Sequence, residues 1–245
     1  MTNRTTPLDA PAGGVALWRQ VADAIRLDIV GGKLGNGDRL AGELPLAERF
    51  GVNRHTVRRA LAVLADEGVV RAEHGRGTFV SATRRLSYPI GRRTRFSEGL
   101  AGQARDIRGR LLAERIERAG AGLARSLSLR PGTRLIRIET LSLADGRPLA
   151  RATGWLEAAR FTGFGEAYAE TGSVTQALRR FGIADYSRGT TRISARHADV
   201  EESRSLALSP GAVVLVSDAV DVDAAGRPLH AMLTRFPADR LELVV

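Results

Sequence analysis

Leu46-Ala47-Glu48-Arg49-Phe50-Gly51-Val52-Asn53-Arg54-His55-Thr56-Val57-Arg58-Arg59-Ala60-Leu61 is the stretch that decides how the chain begins to fold. Leu46, Ala47 and Phe50 stand at helical spacing and stop at Gly51, a residue that closes a helix in the left-handed conformation without steric cost. Asn53 then occupies the position of an N-cap, directly before a second run in which Val57, Ala60, Leu61 and Leu64 form one apolar stripe. Arg54, His55, Arg58, Arg59 and Ala62 fall on the opposite face. Two helices joined by so tight a corner, the second basic on its outer side, describe a helix-turn-helix whose second helix enters a DNA major groove.

Working outward, Trp18, Val21, Ala22, Ile25 and Ile29 define an earlier helix from Leu17, ended by Gly31-Gly32. After Gly68 the pattern becomes β: Val69-Val70-Arg71-Ala72 and Thr78-Phe79-Val80 flank His74-Gly75-Arg76-Gly77, a hairpin with a glycine-rich tip. Three helices and a two-stranded wing make a winged helix-turn-helix over residues 15–81, with 1–14 as a mobile leader and 82–87 as a linker. The candidate DNA contacts are Asn53, Arg54, His55, Thr56, Arg58 and Arg59 on the recognition helix and His74, Gly75 and Arg76 on the wing. Guanidinium groups grip guanine or neutralise phosphate, Thr56 and the helix amides suit phosphate oxygens, and a slim tip can approach a minor groove. A run of charge is more often a solvated surface; the apolar stripe behind it and the wing beside it tip the reading towards DNA. That reading requires the guanidinium groups of Arg54 and Arg58 to project outward, neither buried nor pinned by neighbouring carboxylates.

The rest of the chain, 88–245, contains a repeat. Arg125-Ser126-Leu127-Ser128-Leu129-Arg130-Pro131-Gly132 matches Arg204-Ser205-Leu206-Ala207-Leu208-Ser209-Pro210-Gly211 in kind at every position, 79 residues apart. Downstream, Leu135-Ile136-Arg137-Ile138 answers Val214-Leu215-Val216-Ser217, and Asp145-Gly146-Arg147-Pro148-Leu149 answers Ala225-Gly226-Arg227-Pro228-Leu229. Each copy reads as a short helix, a Pro-Gly turn, a strand, a tight turn and a returning strand. Two copies are too few for a solenoid. They predict two hairpins paired into one antiparallel sheet with the helices on one face, an α+β domain of pseudo-twofold character with a ligand cleft between its halves.

Composition narrows the classes further. The chain has 245 residues and a formal net charge of +10, carried on both halves, and of its 37 basic residues only Lys33 is a lysine. An apolar content of 43 % supports folded cores. The lack of cysteine excludes disulfides, cysteine-based zinc sites and a cysteine nucleophile. No apolar run approaches the ~18 residues of a membrane span and no signal peptide opens the chain, so a cytoplasmic protein without a membrane partner is expected. His55, His74, His197 and His230 lack metal-ligand spacing, and no nucleophile elbow, Walker or dinucleotide pattern occurs, so neither metal, cofactor nor enzymatic activity is expected. A lyase or hydrolase tethered to DNA, and an architectural DNA-binding protein without a ligand, are the competing classes.

Leu40-Ala41-Gly42-Glu43, the stretch from Leu46 to Leu61 and Gly75-Arg76-Gly77-Thr78-Phe79-Val80 resemble, in order and spacing, the DNA-binding domain of GntR-type bacterial transcription regulators over about residues 17–81. The resemblance implies operator contacts from Arg54, Thr56 and Arg58, with Asn53 standing where the family has Ser or Thr and Ala41-Gly42 replacing Pro-Ser. The second domain resembles the HutC branch, which implies a chorismate-lyase-like (UTRA) effector domain without lyase activity. Within it, Tyr88-Pro89-Ile90, Thr94 to Leu100 and Thr191 to Arg196 look like PhnF-type regulators of phosphonate uptake and breakdown. The implied protein is a homodimeric repressor that binds an inverted-repeat, double-stranded operator and releases it on taking up a small anionic effector, a phosphonate or phosphate compound; another metabolite, such as a sugar phosphate or an amino-acid catabolite, is the alternative.

Candidate effector contacts are Thr94, Arg95, Phe96 and Ser97, which precede an expected helix and offer amides, hydroxyls and a guanidinium to an anion. Ser173 stands at a second expected helix start, where related effector domains place a ligand-binding serine, and Arg192 supplies a third pole. Relatives that bind phosphosugars carry arginines where this chain has Thr140 and Ser142, which argues against a sugar-phosphate site.

Overall fold

The computed structural model describes residues 16–73, 75–81, 85–93, 95–208 and 211–245. The expected leader, His74, most of the expected linker and Thr94 lie outside these residues, as do the side chain of Ser97 and, in the repeat, Ser209 and Pro210. The chain divides into two compact units at Arg84/Arg85. Among the described residues no helix is long and apolar enough to cross a membrane.

The first unit contains α1 (Leu17–Val30), α2 (Glu43–Phe50), α3 (Arg54–Asp66), β1 (Val70–Glu73) and β2 (Gly77–Val80), the two strands forming an antiparallel hairpin. Gly51 takes the left-handed conformation at the corner between α2 and α3, and Asn53 caps α3 by accepting the Thr56 amide at 2.8 Å. Val57, Ala60 and Leu64 are fully buried against Val21, Ile25 and Phe50. Burial of each large side chain there is worth about 1.5–3 kcal/mol, which fixes which side of α3 remains for other work.

The second unit begins with β3 (Leu86–Pro89), so Leu86 and Ser87 belong to its structure rather than to a linker. Next come the single-turn α4 (Phe96–Gly99), β4 (Ile107–Arg118), α5 (Ala121–Ser126), β5 (Arg134–Ala144) and β6 (Arg147–Glu157). After these follow α6 (Phe164–Thr171), α7 (Val174–Arg180), β7 (Ser187–His197), α8 (Val200–Ser205), β8 (Val213–Val222), β9 (Pro228–Pro237) and β10 (Leu241–Val244). A six-stranded antiparallel sheet runs β4-β5-β6-β9-β8-β7, and β10 pairs parallel to β3 beside it.

The sheet shows the repeat in full. β4-α5-β5-β6 and β7-α8-β8-β9 are the two copies, joined where β6 pairs with β9. Both short helices end in the same way: the Leu129 and Leu208 amides reach back to the Ala124 and Ser203 carbonyls, and Ser128 and Ala207 sit at φ 55° and 48°. This closure demands a left-handed residue, and neither copy supplies a glycine.

The repeat's own helices, α5 and α8, share one face as the sequence suggested, and α6 and α7 cover the other. Leu135, Leu141 and Ala231 pack beneath α5 and α8, whereas Ile136, Ile138 and Leu156 pack against α6 and α7. Alternation along a strand places these sets on opposite sides. The α6–α7 corner touches the sheet at Gly109, where an added Cβ would stand 2.1 Å from the Gly172 carbonyl oxygen. No larger residue permits that approach.

On the α8 side, Glu202 is 1 % exposed and holds Arg196 through two contacts of 2.7 Å, Arg235 at 3.0 Å and the Asp199 amide at 3.0 Å. Burial pushes its carboxyl up, but the Arg196 pairing, the Asp199 amide and Arg235 outweigh it and bring the pKa from 4.5 down to about 2. A depressed pKa stabilises the fold above the unfolded value and loses that contribution as pH falls through the folded one. Glu202→Gln should therefore destabilise the second unit by roughly 3 kcal/mol near neutral pH and flatten the dependence of the unfolding temperature on pH between 5 and 2, read by thermal unfolding.

Candidate functional site

Each unit presents one site. On the first, the capped start of α3 is exposed: Asn53, Arg54, His55, Arg58 and Arg59 are open to solvent and Thr56 is half-buried. The Thr56 hydroxyl donates to Asn53 Oδ1 at 3.0 Å, so the Asn53 side chain organises the helix start. Arg59 stacks on Trp18 of α1, its guanidinium carbon 4.9 Å from the ring centroid. Gly75, at φ 73°, and Arg76 form the described part of the wing tip, and Arg76 pairs with Glu73 at 2.8 Å.

The requirement of unpinned guanidinium groups is met only in part. Arg58 makes a two-point pair with Glu43, Nε to Oε1 at 3.0 Å and NH2 to Oε2 at 2.8 Å, and Arg54 Nε lies 3.6 Å from the same carboxylate. Glu43 was not foreseen, because it sits 15 residues away at the start of α2 and only the helix corner brings it close. The Arg58 hydrogen bond, more than the fields of Arg58 and Arg54, holds the Glu43 carboxyl below its usual range. Both arginines remain half exposed at 52 %. An exposed pair of this kind is worth little in stability and leaves both side chains at the surface. Arg39 is a further basic group that sequence reasoning missed: it lies against the wing, within 2.9 Å of where a Cβ on Gly77 would stand.

On the second unit a cavity of about 410 Å³ opens between the sheet and the α6–α7 corner. That volume suits a small metabolite. Its floor is small and hydroxylated, with Thr140, Ser142, Ala150, Ala152, Ser217 and Thr234. Thr140 and Ser142, singled out in the sequence for their lack of arginine, both line the cavity.

Arg95 and Phe96 line the cavity, as does Ser173, which caps α7 by accepting the Gln176 amide at 3.4 Å. Arg95 is 7 % exposed and already engaged: it lies 3.6 Å over the Tyr186 ring, pairs with Asp185 at 2.9 Å and donates to the Tyr186 carbonyl. Phe96 packs on Tyr88 and Phe236. The expected anion-binding helix start after Thr94 is a single turn, Phe96–Gly99, too short for an appreciable dipole.

Arg192 is not in the cavity. Its side chain is 86 % exposed and lies 3.5 Å from Asp218, directly opposite on β8. The physical reason is a bulge at Gly189, between the paired residues Arg188 and Thr190, which shifts the alternation by one residue. Arg188 takes the inward place instead, donating to the Tyr88 hydroxyl at 2.7 Å. Asp221, His230 and Tyr186 complete the charged end, and none was visible in the sequence, because strand pairing alone assembles them. Burial pushes the Tyr88 and Tyr186 phenols up, so both are neutral hydrogen-bonding groups.

A winged helix-turn-helix in one unit and, in the other, a sheet domain with a metabolite-sized cavity define a ligand-responsive DNA-binding regulator. Comparison with known proteins agrees: residues 17–80 match the gntR family of bacterial regulatory proteins, and 102–242 match the UTRA domain. The chain belongs to the GntR family, with the HutC-type architecture, and is a transcriptional regulator rather than an enzyme. It is 50 % identical over 230 residues, 94 % of each chain, to an uncharacterized HTH-type transcriptional regulator of Rhizobium meliloti (strain 1021). It is 33 % identical over 220 residues to the probable transcriptional regulator PhnF of Escherichia coli (strain K12), covering 85 % of this chain and 86 % of that one. The crystal structure of PhnF from Mycobacterium smegmatis superposes with a TM-score of 0.63 at 25 % identity, covering 90 % of this chain and 96 % of the other.

Arg58→Ala should weaken operator binding roughly ten- to a hundredfold without lowering the unfolding temperature, and Arg54→Ala should behave likewise, both read by fluorescence anisotropy. Parent-like isotherms for both variants would remove α3 as the recognition element.

Proposed function

We propose that this protein is a homodimeric, cytoplasmic repressor of genes for phosphonate uptake or breakdown. It holds an inverted-repeat operator through Asn53, Arg54, His55, Thr56, Arg58 and Arg59, with His74, Gly75 and Arg76 of the wing alongside, and releases it when a small anionic ligand enters the cavity. The observation that carries this reading is the cavity end where the guanidinium groups of Arg188 and Arg95 stand together inside the second unit. Likeness to PhnF across most of both chains supports the phosphonate class, and Thr140 and Ser142 on the cavity floor weigh against a sugar phosphate. Of the six effector contacts named from sequence, Arg95, Phe96 and Ser173 remain in the proposal. A twofold protein suits a twofold operator.

Release needs no special device. A ligand shifts a two-state equilibrium by its differential affinity for the two states, and DNA binding pays the difference.

Footprinting on DNA upstream of the chain's own gene should protect two half-sites about one helical turn apart. With ~6 to 10 phosphate contacts, affinity should fall about 10³- to 10⁵-fold between 50 and 200 mM salt. Alkylphosphonates should then free the DNA at fixed salt. Release by an amino-acid catabolite or sugar phosphate, with phosphonates inert, would assign the protein to another regulon.

A further inference from the structure

Arg188 and Asp221 stand directly opposite each other on β7 and β8, and both face the cavity. Opposite charges at such positions ordinarily join, since their Cβ atoms lie about 4.5–5.5 Å apart. Here each turns to another partner. Arg188 donates to the Tyr88 hydroxyl at 2.7 Å, and Asp221 Oδ2 lies 3.2 Å from His230 Nε2. Arg188 Nε and Asp221 Oδ1 are buried and make no hydrogen bond. The neighbouring cation does not fill the gap, because Arg95 is committed to Asp185. Burial pushes the Asp221 carboxyl up, yet the His230 hydrogen bond and the fields of His230, Arg188 and Arg95 hold it below the usual range, so a full negative charge stands in the cavity wall.

A simple anion answers only half of this arrangement. Phosphate or an alkylphosphonate would satisfy Arg188 but set its own charge beside Asp221. An amine alone would satisfy Asp221 and leave Arg188 uncompensated. A molecule carrying both groups a few bonds apart answers both, and each of its charges meets an opposite one across a distance the β pairing fixes. We propose that the cavity takes a zwitterion, its acid group on Arg188 and its protonated amine on Asp221 Oδ1. Resting on the phosphonate reading above, the ligand class is the aminoalkyl phosphonates. The hydroxylated floor, with Ser217 on the same face of β8 as Asp221, suits a short polar chain.

The test is isothermal titration of the full chain near neutral pH with 2-aminoethylphosphonate, ethylphosphonate and ethylamine. The amino compound should bind at least about tenfold more tightly than ethylphosphonate, and ethylamine should give no measurable heat, because a site built around a donor discriminates against the analogue lacking it. Asp221→Asn should bring the two phosphonates to equal affinity, the amino compound losing its partner and ethylphosphonate gaining by the lost repulsion; its unfolding temperature without ligand reports the fold. Equal affinity of the two phosphonates for the parent chain overturns the zwitterion and leaves the phosphonate reading standing. So does a folded Asp221→Asn variant that keeps the preference. Failure of both phosphonates to bind overturns both readings, and the parent comparison needs no variant to fold.

Discussion

Arg151 and Arg235 face each other across the junction of β6 and β9, the one seam that joins the two copies of the repeat. Like charges so placed repel, and the seam holds only because carboxylates surround them. Glu201 pairs with Arg151 at 2.7 Å, Glu139 approaches it at 3.5 Å, and Glu202 takes Arg235 while Arg235 donates to the Thr153 hydroxyl at 2.7 Å. Glu201 and Glu202 come from α8, so the helix is bound to the sheet by charge as well as by Leu206. A network of this kind, buried at Arg151 and Glu202, largely buried at Glu139 and Arg235 and open to solvent at Glu201, stabilises less than its contact list suggests, yet removing a buried member strands the others. Its consequence is geometric: α8 is locked to one face, and the other face is left for binding.

The same six pairs build that other face. Between the positions occupied by Arg151, Thr153 and Trp155, the strand presents Ala152, Gly154 and Leu156, opposite Thr234, Met232 and His230. Ala152 and Thr234 leave room for a ligand, and at Gly154 the Met232 sulfur packs 2.7 Å from where a Cβ would stand. One strand pair therefore serves structure on one side and recognition on the other, which is what a period of two allows.

What could be read from sequence follows the range of the interactions. The first unit was legible because its signals are local: the Gly51 corner, the Asn53 cap and the Val57, Ala60 and Leu64 stripe each act within a few residues. The repeat was legible through the Leu-Ser-Leu and Leu-Ala-Leu helix ends, whose shared backbone conformation the structure confirms. Its outer strands β4 and β7 were not, since edge strands with little burial carry no strict alternation. The cavity was half legible. Ser173 announces itself as a cap, whereas Arg188 and Arg192 exchange places through a one-residue bulge that sequence periodicity does not reveal.

The charged groups at the two sites differ in what they cost the unliganded protein. Arg58 and Glu43 meet in solvent, where separating them costs little. Arg188 and Asp221 lie in the cavity wall, each with a buried atom left unbonded, and such atoms cost about 1–3 kcal/mol apiece until something satisfies them. A group that bonds both atoms recovers that energy. The recovered difference is of the size that allosteric couplings require, typically about 1–3 kcal/mol. The cavity's unsatisfied pair is thus costly until something bonds it, whereas the exposed pair on α3 is held at little expense.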